Sequence, residues 1–269
     1  MHLKRWITAI VAIPVLVVLI CKGSAAIFAC LIAVISVLAS WEYFYIVSNG
    51  DKTGILKPIP LLGAAAGLGL IAAALYSAFE VMLLVLLFGL IIAALLSMPP
   101  YRRSWQILEI VSTQVQGIVY IFLSLSTLVL LRVGQDGLAW IFLVLLVVFL
   151  GDVGAFYVGT YLGKRKLAPA ISPGKSVEGA LGGLAANVVV ALVFKFLLLP
   201  ELAAGPVVIF ALALGIAGQI GDLFESELKR KSGIKDSGGI LPGHGGMLDR
   251  IDALLFAGPV AYGFKLFVF

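Results

Sequence analysis

Residues Leu138 to Leu162 read LAWIFLVLLVVFLGDVGAFYVGTYL, with one ionisable acid, Asp152, inside an otherwise apolar run. As a helix, a segment of this length rises about 37 Å, enough to cross a hydrocarbon core of about 30 Å. It does not alternate apolar and polar residues, as a membrane-spanning strand would. Runs of the same kind lie on both sides: Ile7–Ile20, Ala25–Val47, Ile59–Tyr76, Phe79–Ser97, Ile110–Leu131, Val177–Leu199, Pro206–Glu225 and Ile251–Val268. The chain is 62% hydrophobic and 12% charged, against about 25% charged in soluble domains. The expected fold is therefore all-α, a polytopic integral membrane protein of about nine spans. The run from Ile7 is read as the first arm of a helical hairpin with Ala25–Val47 rather than as a secretory signal. Cys21 and Cys30, both in apolar sequence, are read as packing residues, with no metal or redox motif.

The basic residues indicate orientation. With the N-terminus in the cytoplasm, 15 of the 19 Lys and Arg fall on the inner side, and Lys22, Arg132, Lys195 and Lys265 at the outer ends. This is the positive-inside pattern. The net charge of +5 is thus a matter of membrane orientation, with no nucleic-acid partner expected. Residues 1–137 are read as a scaffold of lipid-facing helices that also offers dimer contacts. Residues 138–269 are read as the catalytic region, with cytoplasmic loops at 163–176 and 226–250.

Acidic groups in apolar spans cost several kcal/mol and mark function by default. Asp152, Glu178, Asp222, Glu225, Asp249 and Asp252 all gather toward the expected inner face. Asp222, Glu225 and Ser226 share a helix face, as do Asp249 and Asp252. Glu225 is expected to be solvated or paired with Lys229, and Glu42 to be an interfacial charge. Two carboxylates on different helices, offering oxygen ligands alone, suit magnesium, which shares its shell with water and substrate phosphate. Asp222 and Asp249 could supply one ligand each. The alternative is an ion- or proton-coupled transporter using Asp152 and Asp222.

The segment Ser226–Asp252, SELKRKSGIKDSGGILPGHGGMLDRID, accounts for the basic side chains beside these acids. Gly238, Gly239, Gly245 and Gly246 let backbone approach an anion closely. Lys229, Arg230, Lys235, His244 and Arg250 are candidate phosphate contacts, and no Walker A pattern is present. A second basic loop offers Ser172 and Lys175 just before a helix. Together these features point to a metal and a polyphosphate at the inner face.

At these residues the chain resembles the phosphatidate cytidylyltransferase (CDP-diacylglycerol synthase) family. Ser226, Lys229, Arg230, Lys235, Asp236, Pro242, His244, Gly245, Gly246, Asp249, Arg250 and Asp252 match its C-terminal signature over 27 positions. Asp152 to Lys164 and Ser172 to Gly179 resemble its upstream elements. Phe156 stands where the family often has Tyr, and Gly174 where it often has Lys. The resemblance covers the C-terminal half well and the N-terminal half only as a run of apolar helices. It implies transfer of the cytidylyl group of CTP to phosphatidic acid, giving CDP-diacylglycerol and pyrophosphate. It further implies a multispanning homodimer of the inner (cytoplasmic) cell membrane with its active site facing the cytoplasm. Asp222 and Asp249 would hold magnesium, with a second cation, magnesium or potassium, nearby. Asp222, Asp249 and Lys235 would then be catalytic. Ser172, Lys175, Ser226, Lys229, Arg230, His244, Gly245, Gly246 and Arg250 would contact substrate. Asp152, Glu178, Asp236 and Asp252 would be supporting acids.

Overall fold

A computed structural model describes residues 14–48, 58–97, 106–234, 237–238 and 245–269. Residues 14–22 form helix α1. They are followed by α2 (Ala25–Val47), α3 (Pro58–Leu75), α4 (Phe79–Ser97) and α5 (Gln106–Gly117). A π-helical turn (Ile118–Leu123) joins α5 to α6 (Ser124–Val133). Then come α7 (Gly137–Leu162), strands β1 (Lys166–Ala168) and β2 (Ser172–Ser176), α8 (Val177–Leu198), α9 (Ala204–Lys231) and α10 (Leu248–Phe267).

Among the described residues, six helices are long and apolar enough to cross a membrane. They are Ala25–Val47, Phe79–Ser97, Leu108–Val133, Gly137–Leu162, Val177–Leu198 and Ala204–Lys231. A shorter apolar helix covers Pro60–Leu75. The protein is thus a polytopic all-α membrane protein. The span expected at Ile7–Ile20 lies partly outside the described residues. The last expected span is helical, but Asp249, Arg250 and Asp252 near its start, with Lys265 in its last turn, keep it out of the apolar set.

The chain divides into two units, one of residues 1–133 with 231–250 and the other of residues 134–230 with 251–269. In the first, the segment Leu108–Val133 is central, with 78% of its apolar window buried, whereas α4 is peripheral at 17%. Leu83, Leu84, Leu87, Phe88, Ile91 and Leu95 of α4 are exposed, a surface suited to lipid. Cys21 and Cys30 are free and exposed. Ser24 caps α2, its Oγ accepting from Ile27 N at 3.3 Å. Arg132 donates to Gly23 O at 3.1 Å, so the end of α6 meets the α1–α2 turn.

In the second unit, α7 and α8 pack along a seam of small residues, which lets two backbones approach closely in an apolar medium. A Cβ on Gly154 would stand 2.6 Å from Ala186 Cβ, and one on Gly182 would stand 2.5 Å from Val158 Cβ. Along the same unit, a Cβ on Gly221 of α9 would lie 2.5 Å from the Asp252 carbonyl of α10. Replacing Gly154 with Leu is expected to force the helices apart and cost about 1–3 kcal/mol or more, as overpacking does. Thermal melting in detergent checks this; an unchanged midpoint would mean the seam is looser than described.

Candidate active site

Within residues 163–176, expected as a loop, lies an antiparallel β-hairpin, with Lys166 opposite Ser176 and Ala168 opposite Ser172. Glu178 explains its position. The Glu178 carboxylate accepts from the backbone N–H groups of Lys164 (3.0 Å) and Arg165 (3.1 Å) and from Arg165 Nε (3.4 Å). Ser176 caps α8, its Oγ accepting from Gly179 N at 3.1 Å. Arg230 Nε donates to Ile171 O at 3.2 Å, tying the end of α9 to the hairpin turn. Glu178 and Arg230 therefore hold the hairpin in place.

Beneath the hairpin lies a cavity of about 520 Å³. Asp152 and Phe156 of α7, Ser172, Gly174 and Lys175 of β2, and Gln219 and Asp222 of α9 all line it. Both departures from the family pattern, Phe156 and Gly174, thus face the space a ligand would occupy. A Cβ at Gly174 would meet nothing within 4 Å, so that wall is open.

The charges at this end are paired, one between the hairpin and α9 and one within α9. Lys175 Nζ lies 2.5 Å from Asp222 Oδ2, with the two side chains 25% and 36% exposed. Asp152, Asp222 and Asp252 interact electrostatically with one another. Ser226 Oγ donates to Asp222 Oδ1 at 3.5 Å, a weak contact. Lys229 pairs with Glu225 at 2.5 Å, the second of the two expectations for this acid, and Glu225 is buried rather than solvated. The sequence placed Asp222 against the basic segment after α9; the structure gives it Lys175 of the hairpin.

The other unit holds the base of the C-terminal glycine segment. Asp249 Oδ2 accepts from Ser237 N at 3.3 Å and Gly246 N at 3.1 Å. Gly245 has φ +81°, a left-handed conformation that glycine adopts without strain. Glu42 requires a correction. It is not an interfacial charge but is 1% exposed. Its Oε2 accepts from Leu248 N at 2.8 Å and Ser237 Oγ at 3.1 Å. Local sequence gave no sign of this, because a lone acid near a helix end is commonly solvated. Lys235, Asp236 and His244 lie outside the described residues.

A cytidylyltransferase family model matches residues 3–268. The chain belongs to the cytidylyltransferase family. Similar curated proteins carry the name phosphatidate cytidylyltransferase. The one from Bacillus subtilis is 48% identical over 128 residues, covering 48% of each chain. That from Staphylococcus haemolyticus is 47% identical over 126 residues, covering 47% of this chain and 48% of its own. That from Staphylococcus saprophyticus is 43% identical over 139 residues, covering 52% and 54%. The matched part of the chain spans about half the length of these relatives.

Among the described residues no group of three or more Asp, Glu, His or Cys side chains forms a ready metal cage. Magnesium does not need one, since it takes one or two carboxylates and completes its shell with water and phosphate. Asp222 offers carboxylate oxygens to the cavity, and a cation already stands against it in the form of Lys175. The oxygen-only donors of this family member therefore fit magnesium.

Proposed function

We propose that this chain is a phosphatidate cytidylyltransferase that transfers CMP from CTP to phosphatidic acid, releasing pyrophosphate and leaving CDP-diacylglycerol for phospholipid synthesis. The supporting observation is family membership joined to the Lys175–Asp222 pair, which lines a cavity at the end of apolar helices. Such a cavity can admit a soluble nucleotide beside a lipid that stays in the bilayer.

In this reading a phosphate oxygen of phosphatidic acid attacks the α-phosphorus of CTP. The new O–P bond forms as the bond to the β-phosphate oxygen breaks, and the electron pair leaves on pyrophosphate. The attacking phosphate is already largely ionised near neutral pH, so no strong base is required. Catalysis is then positioning and charge neutralisation. Asp222 and Asp249 would hold magnesium, which when bound supplies positive charge to the phosphate oxygens. Lys175 neutralises Asp222 in the free site, and an arriving phosphate offers its ammonium a second anion. Ser172, Lys229, Arg230, Lys235, His244 and Arg250 are the further phosphate contacts of the proposal. A second cation, magnesium or potassium, and a homodimer belong to the same reading. The family match gives no support to the transporter alternative.

Incubation of purified protein with labelled CTP, phosphatidic acid and magnesium is expected to yield a labelled lipid. No label in lipid would overturn the assignment. The site is proposed to face the cytoplasm. Cysteines placed at 134–137 should therefore react with an impermeant reagent from outside, and one at Ser232 only after permeabilisation. The reverse pattern would place the site on the outer face.

A further inference from the structure

We infer that Glu42, in the second helix, is a positioning residue for the proposed cytidylyl transfer, clamping the base of the glycine segment that precedes the final helix. The inference rests on the proposed function for its catalytic consequence and on geometry for the clamp itself.

A carboxylate in an apolar span is expensive unless partnered. Glu42 is 1% exposed, and its Oε2 bonds both ends of one segment: Ser237 Oγ at the entry and Leu248 N at the exit. Ser237 is itself fully buried and divides its donors, giving its N–H to Asp249 and its O–H to Glu42. Two carboxylates, 207 residues apart in sequence (249 − 42), thus close the same base.

The glycines record the same closeness. A Cβ on Gly238 would stand 2.4 Å from Glu42 Oε1. One on Gly246 would stand 2.5 Å from Glu42 Oε2 and 1.9 Å from Ser237 Oγ. The backbone passes so near the carboxylate that no side chain fits at either position. Gly238 and Gly246 therefore lie directly against the protein's own Glu42 carboxyl group. Among the described residues Glu42 Oε1 has no hydrogen-bond partner. Residues 245–250 carry Gly245, Gly246, Asp249 and Arg250, so fixing their base fixes several groups of the proposed site together.

The test uses the full-length protein in detergent with two independent readouts. The first is hydrogen exchange of the Gly246 and Leu248 amides without substrate. The second is kcat and KM with CTP and phosphatidic acid. Glu42→Ala is expected to speed Leu248 exchange about tenfold, the worth of one charge-assisted bond. It should also lower kcat about 100-fold, as misplacement of about 1 Å does, with KM for phosphatidic acid little changed. Glu42→Gln keeps an acceptor oxygen and should restore both readouts to within about tenfold of wild type. A purely structural role would instead lower melting temperature and yield, with Leu248 exchange no faster than that of its helix neighbours. Should Glu42→Ala fail to fold, Ser237→Ala removes one bond of the clamp and should lower kcat about tenfold. Wild-type exchange in Glu42→Ala, or wild-type kcat in Ser237→Ala, would overturn the inference. If the wild type makes no cytidylylated lipid, the proposed function fails, and the exchange measurement still decides the clamp.

Discussion

Asp222→Asn and Asp249→Asn are each expected to lower CTP-to-lipid transfer at least ~100-fold, comparable to the loss of one preorganised electrostatic group. Both changes keep shape and an acceptor oxygen while removing a charge. For Asp249 this separation is informative. Its Oδ2 accepts from Ser237 N and Gly246 N, and an amide oxygen can accept both bonds. The base of the glycine segment should therefore persist while the charge is lost. For Asp222 the change also removes the ion pair with Lys175. The double variant should lose little more than either single, because residues serving one centre act as a unit. Detergent melting should change little. The measurement is a magnesium titration of transfer for wild type, both singles and the double. If one single variant keeps normal turnover and magnesium dependence, that residue is not a principal ligand. If both do, the metal-centre proposal fails.

Lys175→Ala should lower kcat/KM for CTP about 10–100-fold, the range for losing one hydrogen bond to a charged group. Lys175 lines the cavity beside Ser172 and Gly174 and stands 2.5 Å from Asp222. It can therefore act on the nucleotide directly or only quiet Asp222. Steady-state kinetics in mixed micelles separate these roles. Loss concentrated in KM for CTP, partly restored by Lys175→Arg, marks a phosphate contact. Unchanged KM for CTP with lower protein stability would leave Lys175 as a neutralising partner alone.

Much of the architecture was legible in the chain because its cause is local. Each expected span from Ala25 onward coincides with a helix, since about 20 consecutive apolar residues leave the backbone no other way to satisfy its polar groups in lipid. The signature between Ser226 and Asp252 is likewise contiguous and pointed to the family that the comparison supports. The β-hairpin at Lys166–Ser176 was not legible, because two short polar strands show no hydrophobic period. Its latch, Glu178, had the look of one more acid at the inner face.

The sequence by itself determined the all-helical membrane class, the approximate placing of the helices and the acids that need explaining. The Glu225–Lys229 pair, four residues apart, was legible locally, but tertiary structure decided the partners that are distant in sequence. Asp222 takes Lys175, 47 residues earlier, because the glycine seam of α7 and α8 and the hairpin above it bring β2 over α9. Glu42 takes Ser237 and Leu248, separated from it by 195 and 206 residues. Hydropathy is a sum over neighbours in sequence, and so it can be read along the chain. A charge pair depends on distances of a few ångströms between distant segments, and these exist only once close helix packing has fixed them.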